Sequence, residues 1–381
     1  MHIELISIGA ELLNGHTINT NAAWLSKQLR SLGLQVVRHT VILDQIPEIV
    51  ATFREAMKRS SVVISTGGLG PTIDDLTRAA ATEVCRVSQK ELANPVGSAK
   101  GALYEEVHSA LFLLPGVPRE MQGMFEIAVV PFLQSKYPVE RIACSRSICL
   151  YKELEVDRFL RQLQKKHAKV AFGIYPSQGT LLVEFCGSDR NELKMLCQAV
   201  EEQYAGYVFA EEKIADALHA AFLASGKTLA LAESCTGGAF AAALTAIPNA
   251  SKFLLGSLVA YSNQWKQHFL GVSAQTLQQE GAVSRETVEE MVSGLFQRTE
   301  ADFAVAVSGI AGPTGGSSQK PVGTIYIAVG KRGEKMDVGL LQAPADRQSA
   351  IECSVKTAMS ALWRRLVYNQ TTFDYALPTH R

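Results

Sequence analysis

Apolar positions along the chain recur in two alternating periods. His2 to Ile8 and Ser61 to Ser65 are short, nearly continuous apolar runs, the pattern of strands covered on both faces. Between them Leu25, Leu29 and Leu32 fall at i, i+4 and i+7, which predicts a helix over Asn21 to Leu32 stopped by Gly33. Leu34 to Leu43 reads as the next strand, and Pro47 opens a helix through Lys58. Leu111 to Leu114 is a further strand before a Pro-Gly-Val-Pro turn. This alternation predicts a parallel α/β sheet in a first block, residues 1–133.

A second block, residues 134–210, reads strand (Ile142 to Leu150), helix (Leu154 to Lys166), two strands (Val170 to Tyr175, Leu181 to Cys186) joined across Ser177-Gln178-Gly179, and helix (Asn191 to Tyr204). It is a small α+β unit whose order loosely resembles RNA-binding KH modules but lacks their Gly-x-x-Gly clamp, so a spacer role is favoured. The third block, residues 211–368, predicts helices at Ile214 to Ala224, Gly237 to Ala246, Glu286 to Gln297 and Ala350 to Leu366. Its strands are expected at Thr228 to Ala232, Leu254 to Tyr261, Phe303 to Val307 and Thr324 to Val329. A second α/β layer structure follows, and residues 369–381 have no period and read as a tail.

Composition narrows the function classes. The 381 residues exceed one ordinary core, and 47% apolar against 19% charged residues makes a globular protein. Lys plus Arg and Asp plus Glu are both 37, so a net charge of zero argues against bulk electrostatic binding to DNA or anionic membranes. No apolar run is long enough to span a bilayer and no basic leader opens the chain, so a cytoplasmic location is expected. The seven cysteines are scattered without a two-residue gap, and reduced thiols are expected.

Two regions carry chemistry. In the first block, Ser65 to Asp75 follows a buried-type strand and precedes a helix, where open α/β sheets bind ligands. Gly67, Gly68 and Gly70 let backbone N–H groups approach an anionic oxygen, Thr72 adds a hydroxyl, and Asp74 and Asp75 suit a hard divalent cation. The alternative is a glycine-rich turn with Asp75 capping the next helix. Glu11 and Asn94 can converge on the same sheet edge.

In the third block, Glu233-Ser234-Cys235-Thr236-Gly237-Gly238 runs from a strand into a small-residue helix. Ser234 sits where a helix dipole and free N–H groups favour an oxyanion, with Gly237 and Gly238 admitting a substrate against the backbone. Cys235 competes as nucleophile because a helix N-terminus also lowers a thiol's pKa, and simple capping by Ser234 is the structural alternative. No histidine is near in sequence. Lys266, alone or with Tyr261, can serve as base if burial depresses its pKa, although a lone lysine there more often faces solvent. Ser308 to Gly316, followed by Lys320 to Thr324, is a second glycine-rich loop suited to a phosphate and ribose.

These motifs resemble a known family. Glu11 to Gly15, Asn19-Thr20-Asn21, Thr66 to Asp75, Asn94-Pro95-Val96-Gly97 and Leu114 to Glu120 look like the amino-terminal domain of the CinA, or competence/damage-inducible, family. That domain is similar to the molybdenum-cofactor-biosynthesis (MoCF) fold of molybdopterin-binding enzymes. Glu233 to Gly238, Tyr261-Ser262-Asn263, Lys266, Gly281 to Ser284, Gly309 to Pro313 and Lys320 to Thr324 resemble its carboxy-terminal amidohydrolase domain. The fold expected is therefore α/β throughout: a three-layer MoCF-like domain, a small α+β middle domain and a three-layer C-terminal CinA domain.

The resemblance implies hydrolysis of nicotinamide mononucleotide (NMN) to nicotinic acid mononucleotide and ammonia, a step of NAD salvage in the pyridine nucleotide cycle. It assigns Ser234 as nucleophile, with Tyr261, Lys266 and Ser308 as catalytic partners. Thr236, Gly237, Gly238, Asn263, Gly309, Gly312 and Lys320 would bind that substrate. For the first domain it implies metal-dependent ADP-ribose pyrophosphatase activity on Glu11, Gly67, Gly68, Gly70, Thr72 and Asn94, with Mg, Mn or Co on Asp74 and Asp75. No organic cofactor is expected for the amidase, and a homodimer is expected.

Three departures bear on this. The stretch from Glu83 to Asn94 is shorter than the family pattern, Ala99-Lys100-Gly101 replaces the usual Ala-Pro-Gly, and Ser308 stands where threonine is usual. Two rivals remain at this stage. Only the first domain turns over a nucleotide diphosphate, or both pockets bind nucleotides without turnover and the protein acts through partners in competence or DNA damage.

Overall fold

The computed structural model describes residues 1–70, 75–137 and 141–370, in two compact units. One comprises Met1–Ala143 with Gly187–Arg190, and the other the remainder of the described chain. Among the described residues no helix is long and apolar enough to cross a membrane.

The first unit runs β1 (Ile3–Ile8), α1 (Ala10–Leu13), α2 (Thr20–Ser31), β2 (Val36–Ile42), α3 (Ile46–Arg59), β3 (Val62–Thr66), α4 (Thr77–Val84), β4 (Lys90–Leu92), β5 (Gly101–Glu105), β6 (Ala110–Leu114), α5 (Pro118–Met124), a π-helical turn (Phe125–Val129) and α6 (Val130–Lys136). Its sheet order is β2-β1-β3-β6-β5-β4. The first four strands are parallel as expected, but β5 and β4 are antiparallel additions. The connection from β5 to β6 holds only residues 106–109, too short for a parallel crossover. Side-chain alternation divides the core. Ile3, Leu5, Val62 and Ile64 pack with Leu25 and Leu29 of α2, while Ile6, Ile8 and Val63 pack with Ile49 and Phe53 of α3. The π turn lies just before Pro131, which has no N–H to donate, and the Val130 N–H reaches five residues back to the Phe125 carbonyl.

The second unit begins with β7 (Ile142–Cys149), α7 (Glu153–Lys166), β8 (Ala171–Ser177), β9 (Thr180–Gly187), α8 (Arg190–Gln203) and β10 (Val208–Phe209), in sheet order β10-β7-β9-β8. Cys144 and Cys197 form a disulfide, contrary to the expectation of reduced thiols, because β7 and α8 bring together residues 53 apart in sequence. The other five cysteines are free.

Then follow α9 (Ile214–Ser225), β11 (Leu229–Glu233), α10 (Ala239–Thr245), β12 (Leu254–Val259), α11 (Asn263–Leu270), α12 (Ala274–Gln279), α13 (Arg285–Arg298), β13 (Phe303–Gly309), β14 (Thr324–Lys331), β15 (Asp337–Gln342) and α14 (Arg347–Tyr368). The sheet order is β12-β11-β13-β14-β15, parallel through β12, β11 and β13 and antiparallel beyond. Its two faces differ in bulk. Leu229, Leu231, Val305, Val307, Ile325 and Ile327 meet α9 and α14, in a core that also takes in Cys149 and Phe209 of the preceding sheet. Ala230, Ala232, Ala304, Ala306 and Ala328 turn to the other face and let α13 pack closely.

That closeness extends to the contact of α13 with α11, where a Cβ on Gly294 would lie 1.8 Å from the Leu270 carbonyl oxygen. Gly294→Ala is expected to destabilise this unit by about 1–3 kcal/mol through overpacking. Urea unfolding followed by the tryptophans checks this, and an unchanged midpoint would contradict it.

Candidate active site

The strand β11 ends at Glu233 and the chain turns through Ser234 to Gly238 before α10 begins. Sequence reasoning gave Glu233 no role of its own, yet its buried carboxylate is the hub of the turn. Its Oε2 accepts from Thr236 Oγ1 (2.8 Å), the Gly238 N–H (3.0 Å) and the Phe240 N–H (3.1 Å); its Oε1 accepts from the Ala241 N–H (3.0 Å) and Ser257 Oγ (3.0 Å). Two expectations change. Ser234 does not cap α10, because Glu233 supplies the acceptor. The helix-terminal N–H groups of Gly238, Phe240 and Ala241 are engaged by that carboxylate and are not free for an oxyanion.

Ser234 is held from behind by its own N–H donating to the Val307 carbonyl (3.0 Å). Its Oγ lies 2.9 Å from Lys266 Nζ. Lys266 is on α11, whose start is fixed by Ser262 accepting from the Trp265 N–H (3.2 Å). Here the structure overturns the reading of a solvent-facing lysine: Lys266 is only 1% exposed. Its Nζ also donates to the carbonyls of Ala260 (2.8 Å) and Tyr261 (3.3 Å). None of these three neighbours is anionic, so burial dominates and pushes the Lys266 pKa down from 10.5 to about 8.

Cys235 points the other way, into the apolar core with Leu231 and Phe240. Burial pushes its thiol up to about 12, outweighing the opposing pull of its own backbone N–H, Lys266 and Arg347. The helix-terminus argument for a reactive thiol therefore fails, and Ser234 is the side chain that meets the lysine.

Around this pair the structure distributes the other expected residues. The Tyr261 side chain is exposed, and its phenol accepts from Arg347 Nη2 (2.9 Å), so its carbonyl rather than its hydroxyl meets Lys266. Arg347, which carried no signal in the sequence, also donates to the Gly312 carbonyl (3.1 Å) and so ties Tyr261 to the glycine-rich loop. That loop contains a cis Gly312-Pro313 bond. Ser308 is buried and donates to the Ala282 carbonyl (2.7 Å), a bracing contact for the segment before α13. Lys320 Nζ donates to the Glu280 carbonyl (2.6 Å). Gly309 is packed against Ile325, Asn263 is exposed in the first turn of α11, and Gly237 has open space on its side-chain face.

In the first unit, Gly67 and Gly68 follow β3 at the carboxyl edge of the sheet. Gly67 adopts φ +102°, and a Cβ there would lie 2.1 Å from the Ile8 carbonyl oxygen, so only glycine fits. Thr77 Oγ1 donates to the Gly67 carbonyl (3.0 Å), and Asp75 lies beside Gly70. Asn94 organises its own turn, accepting from the Val96 (3.0 Å) and Gly97 (2.9 Å) N–H groups and donating to Ala99 O (2.9 Å) and Glu120 Oε2 (2.5 Å). Glu11 is exposed on α1. Thr72 and Asp74 lie outside the described residues. Among the described residues no three His, Cys, Asp or Glu side chains converge as a metal cage.

Comparison with known proteins bears on the family. Residues 211–366 match the family described as "CinA C-terminal domain" and residues 4–135 the "Probable molybdopterin binding domain". A CinA-like protein of Citrifermentans bemidjiense is 33% identical over 98% of this chain and 99% of its own. The chain belongs to the CinA family. A CinA-like protein of Kosmotoga olearia is likewise 33% identical, over 96% of this chain and 99% of its own. The first of these alignments spans 412 residues against the 381 here, so that relative carries residues this CinA chain lacks. Among solved structures, the competence/damage inducible protein CihA of Agrobacterium tumefaciens is 39% identical over 41% of this chain and 94% of its own, with a TM-score of 0.39.

The burial of Cys235 gives a direct test in this CinA protein. In the native state at pH 8 its thiol is expected to resist iodoacetamide while denaturation exposes it, as read by peptide mass spectrometry. Rapid native alkylation at Cys235 would contradict the placement.

Proposed function

We propose that the second unit is a serine hydrolase that deamidates a pyridine mononucleotide, NMN, to nicotinic acid mononucleotide and ammonia. The observation that carries the reading is the coordination of Lys266 Nζ. A neutral amine has two N–H groups and one lone pair. The carbonyls of Ala260 and Tyr261 take the two N–H groups, which leaves the lone pair for the Ser234 hydroxyl 2.9 Å away.

In the reaction Lys266 accepts the Ser234 proton as Oγ attacks the carboxamide carbon. The resulting ammonium donates that proton to the departing nitrogen, ammonia leaves, and water cleaves the acyl-enzyme with the same lysine as base. The amide of Thr236 has no acceptor among the described residues and lies beside the nucleophile in the turn, which supports it as a donor to the oxyanion. Arg347, held between Tyr261 and Gly312, supplies positive charge for the substrate phosphate. NMN as the substrate rests on the family resemblance.

For the first unit, Gly67, Gly68 and Asn94 near one sheet edge support a nucleotide diphosphate as ligand.

Ammonia release from NMN tests the reading. Ser234→Ala is expected to abolish it, and Lys266→Met to lower kcat by about 10²–10⁴-fold. Chelator should leave the wild-type rate unchanged, since this chemistry uses only the serine and lysine. NMN binding without ammonia release would instead favour a binding role exercised through protein partners.

The pH profile has a definite sign. The base must be neutral, so kcat/KM is expected to rise about tenfold per pH unit below about 8 and to level above it. A profile flat from pH 6 to 9 would contradict a lysine base.

A further inference from the structure

We infer that Glu233 is a positioning residue for the Ser234 nucleophile, acting through the turn it holds; this rests on the serine hydrolase reading above. The turn from Ser234 to Gly238 contains two glycines with φ of +61° and +96°, a stretch with little stiffness of its own. Its internal backbone bonds are Gly237 N–H to Ser234 O (3.1 Å) and Ala239 N–H to Thr236 O (3.0 Å). Glu233 adds five bonds, from the turn, from the first residues of α10 and from Ser257 on β12.

Two consequences follow for the chemistry. The turn is pinned on the residue directly before the nucleophile, so Ser234 Oγ faces Lys266 without searching. The carboxylate also occupies the amides of Gly238, Phe240 and Ala241 and the Cys235 N–H meets its own thiol, so of the turn's backbone donors that of Thr236 is left to a substrate oxygen. Lys266 is not among the hydrogen-bond partners of Glu233.

Glutamine at 233 keeps the length but puts an NH2 group against N–H donors in either flip. Glu233→Gln is therefore expected to stay folded by circular dichroism and to lose about 10²-fold in kcat, the scale of a displaced reacting group. KM should stay within about threefold, because the residue does not touch substrate, and the pH midpoint should stay where the wild type has it, because Lys266 is untouched. Ser257→Ala and Thr236→Val each remove one bond and should each cost a few-fold in kcat.

A second readout does not need NMN. An alkyl fluorophosphonate labels Ser234 when Oγ attacks phosphorus, fluoride leaves and the serine proton passes to Lys266; intact mass follows the rate. This labelling should slow in Glu233→Gln in parallel with kcat. Wild-type labelling at Ser234 without NMN turnover would remove the substrate assignment and leave the positioning role to be judged by labelling alone. A folded Glu233→Gln with kcat or labelling within twofold of wild type overturns the inference. Should that variant fail to fold, wild-type rates in both Ser257→Ala and Thr236→Val overturn it as well.

Discussion

The second unit is built around a buried amine. Lys266 is almost completely removed from water with no carboxylate partner among the described residues, a situation that disfavours its charged form. The same burial that makes the charge costly makes the amine a base near neutral pH. That position depends on its surroundings: Ser262 starts α11, the link from β12 to α11 supplies two carbonyls, and α13 seats its glycine face on the end of α11. A loosening at any of these points would admit water and restore an ordinary lysine.

Electrostatics are divided between two groups that do not meet. Glu233 absorbs the partial positive charge at the start of α10, and Lys266 addresses the hydroxyl. The division explains why the adjacent Cys235 is inert. It does not receive the helix terminus, burial outweighs the pull of Lys266 on its thiol, and it packs with Leu231 and Phe240 as an apolar residue.

Much of this was legible in the sequence, and the failures share a cause. The strands β1, β3, β6, β11 and β13 are continuous apolar runs, and helices such as α3 and α13 announce themselves by period. Short peripheral elements are weaker: β4, β10 and β15 have few apolar residues, and β5 runs antiparallel because of the four residues that follow it. At the site, the motif containing Ser234 was visible because strand, glycine and helix are local features. The burial of Lys266, the bond from Ser257 to Glu233 and the bridge made by Arg347 arise from residues 32, 24 and 86 positions from their partners. No periodicity encodes such contacts. The disulfide between Cys144 and Cys197 has the same origin, a strand and a helix laid together by the fold.

The central claim is that Ser234 forms a covalent intermediate using Lys266 as base. Rapid acid quench of the protein with NMN, followed by intact and peptide mass spectrometry, tests it most directly. The account predicts an adduct of NMN less ammonia on the peptide bearing Ser234, absent in Ser234→Ala. Ammonia release by Ser234→Ala at the wild-type rate, or an adduct on another residue, would contradict it.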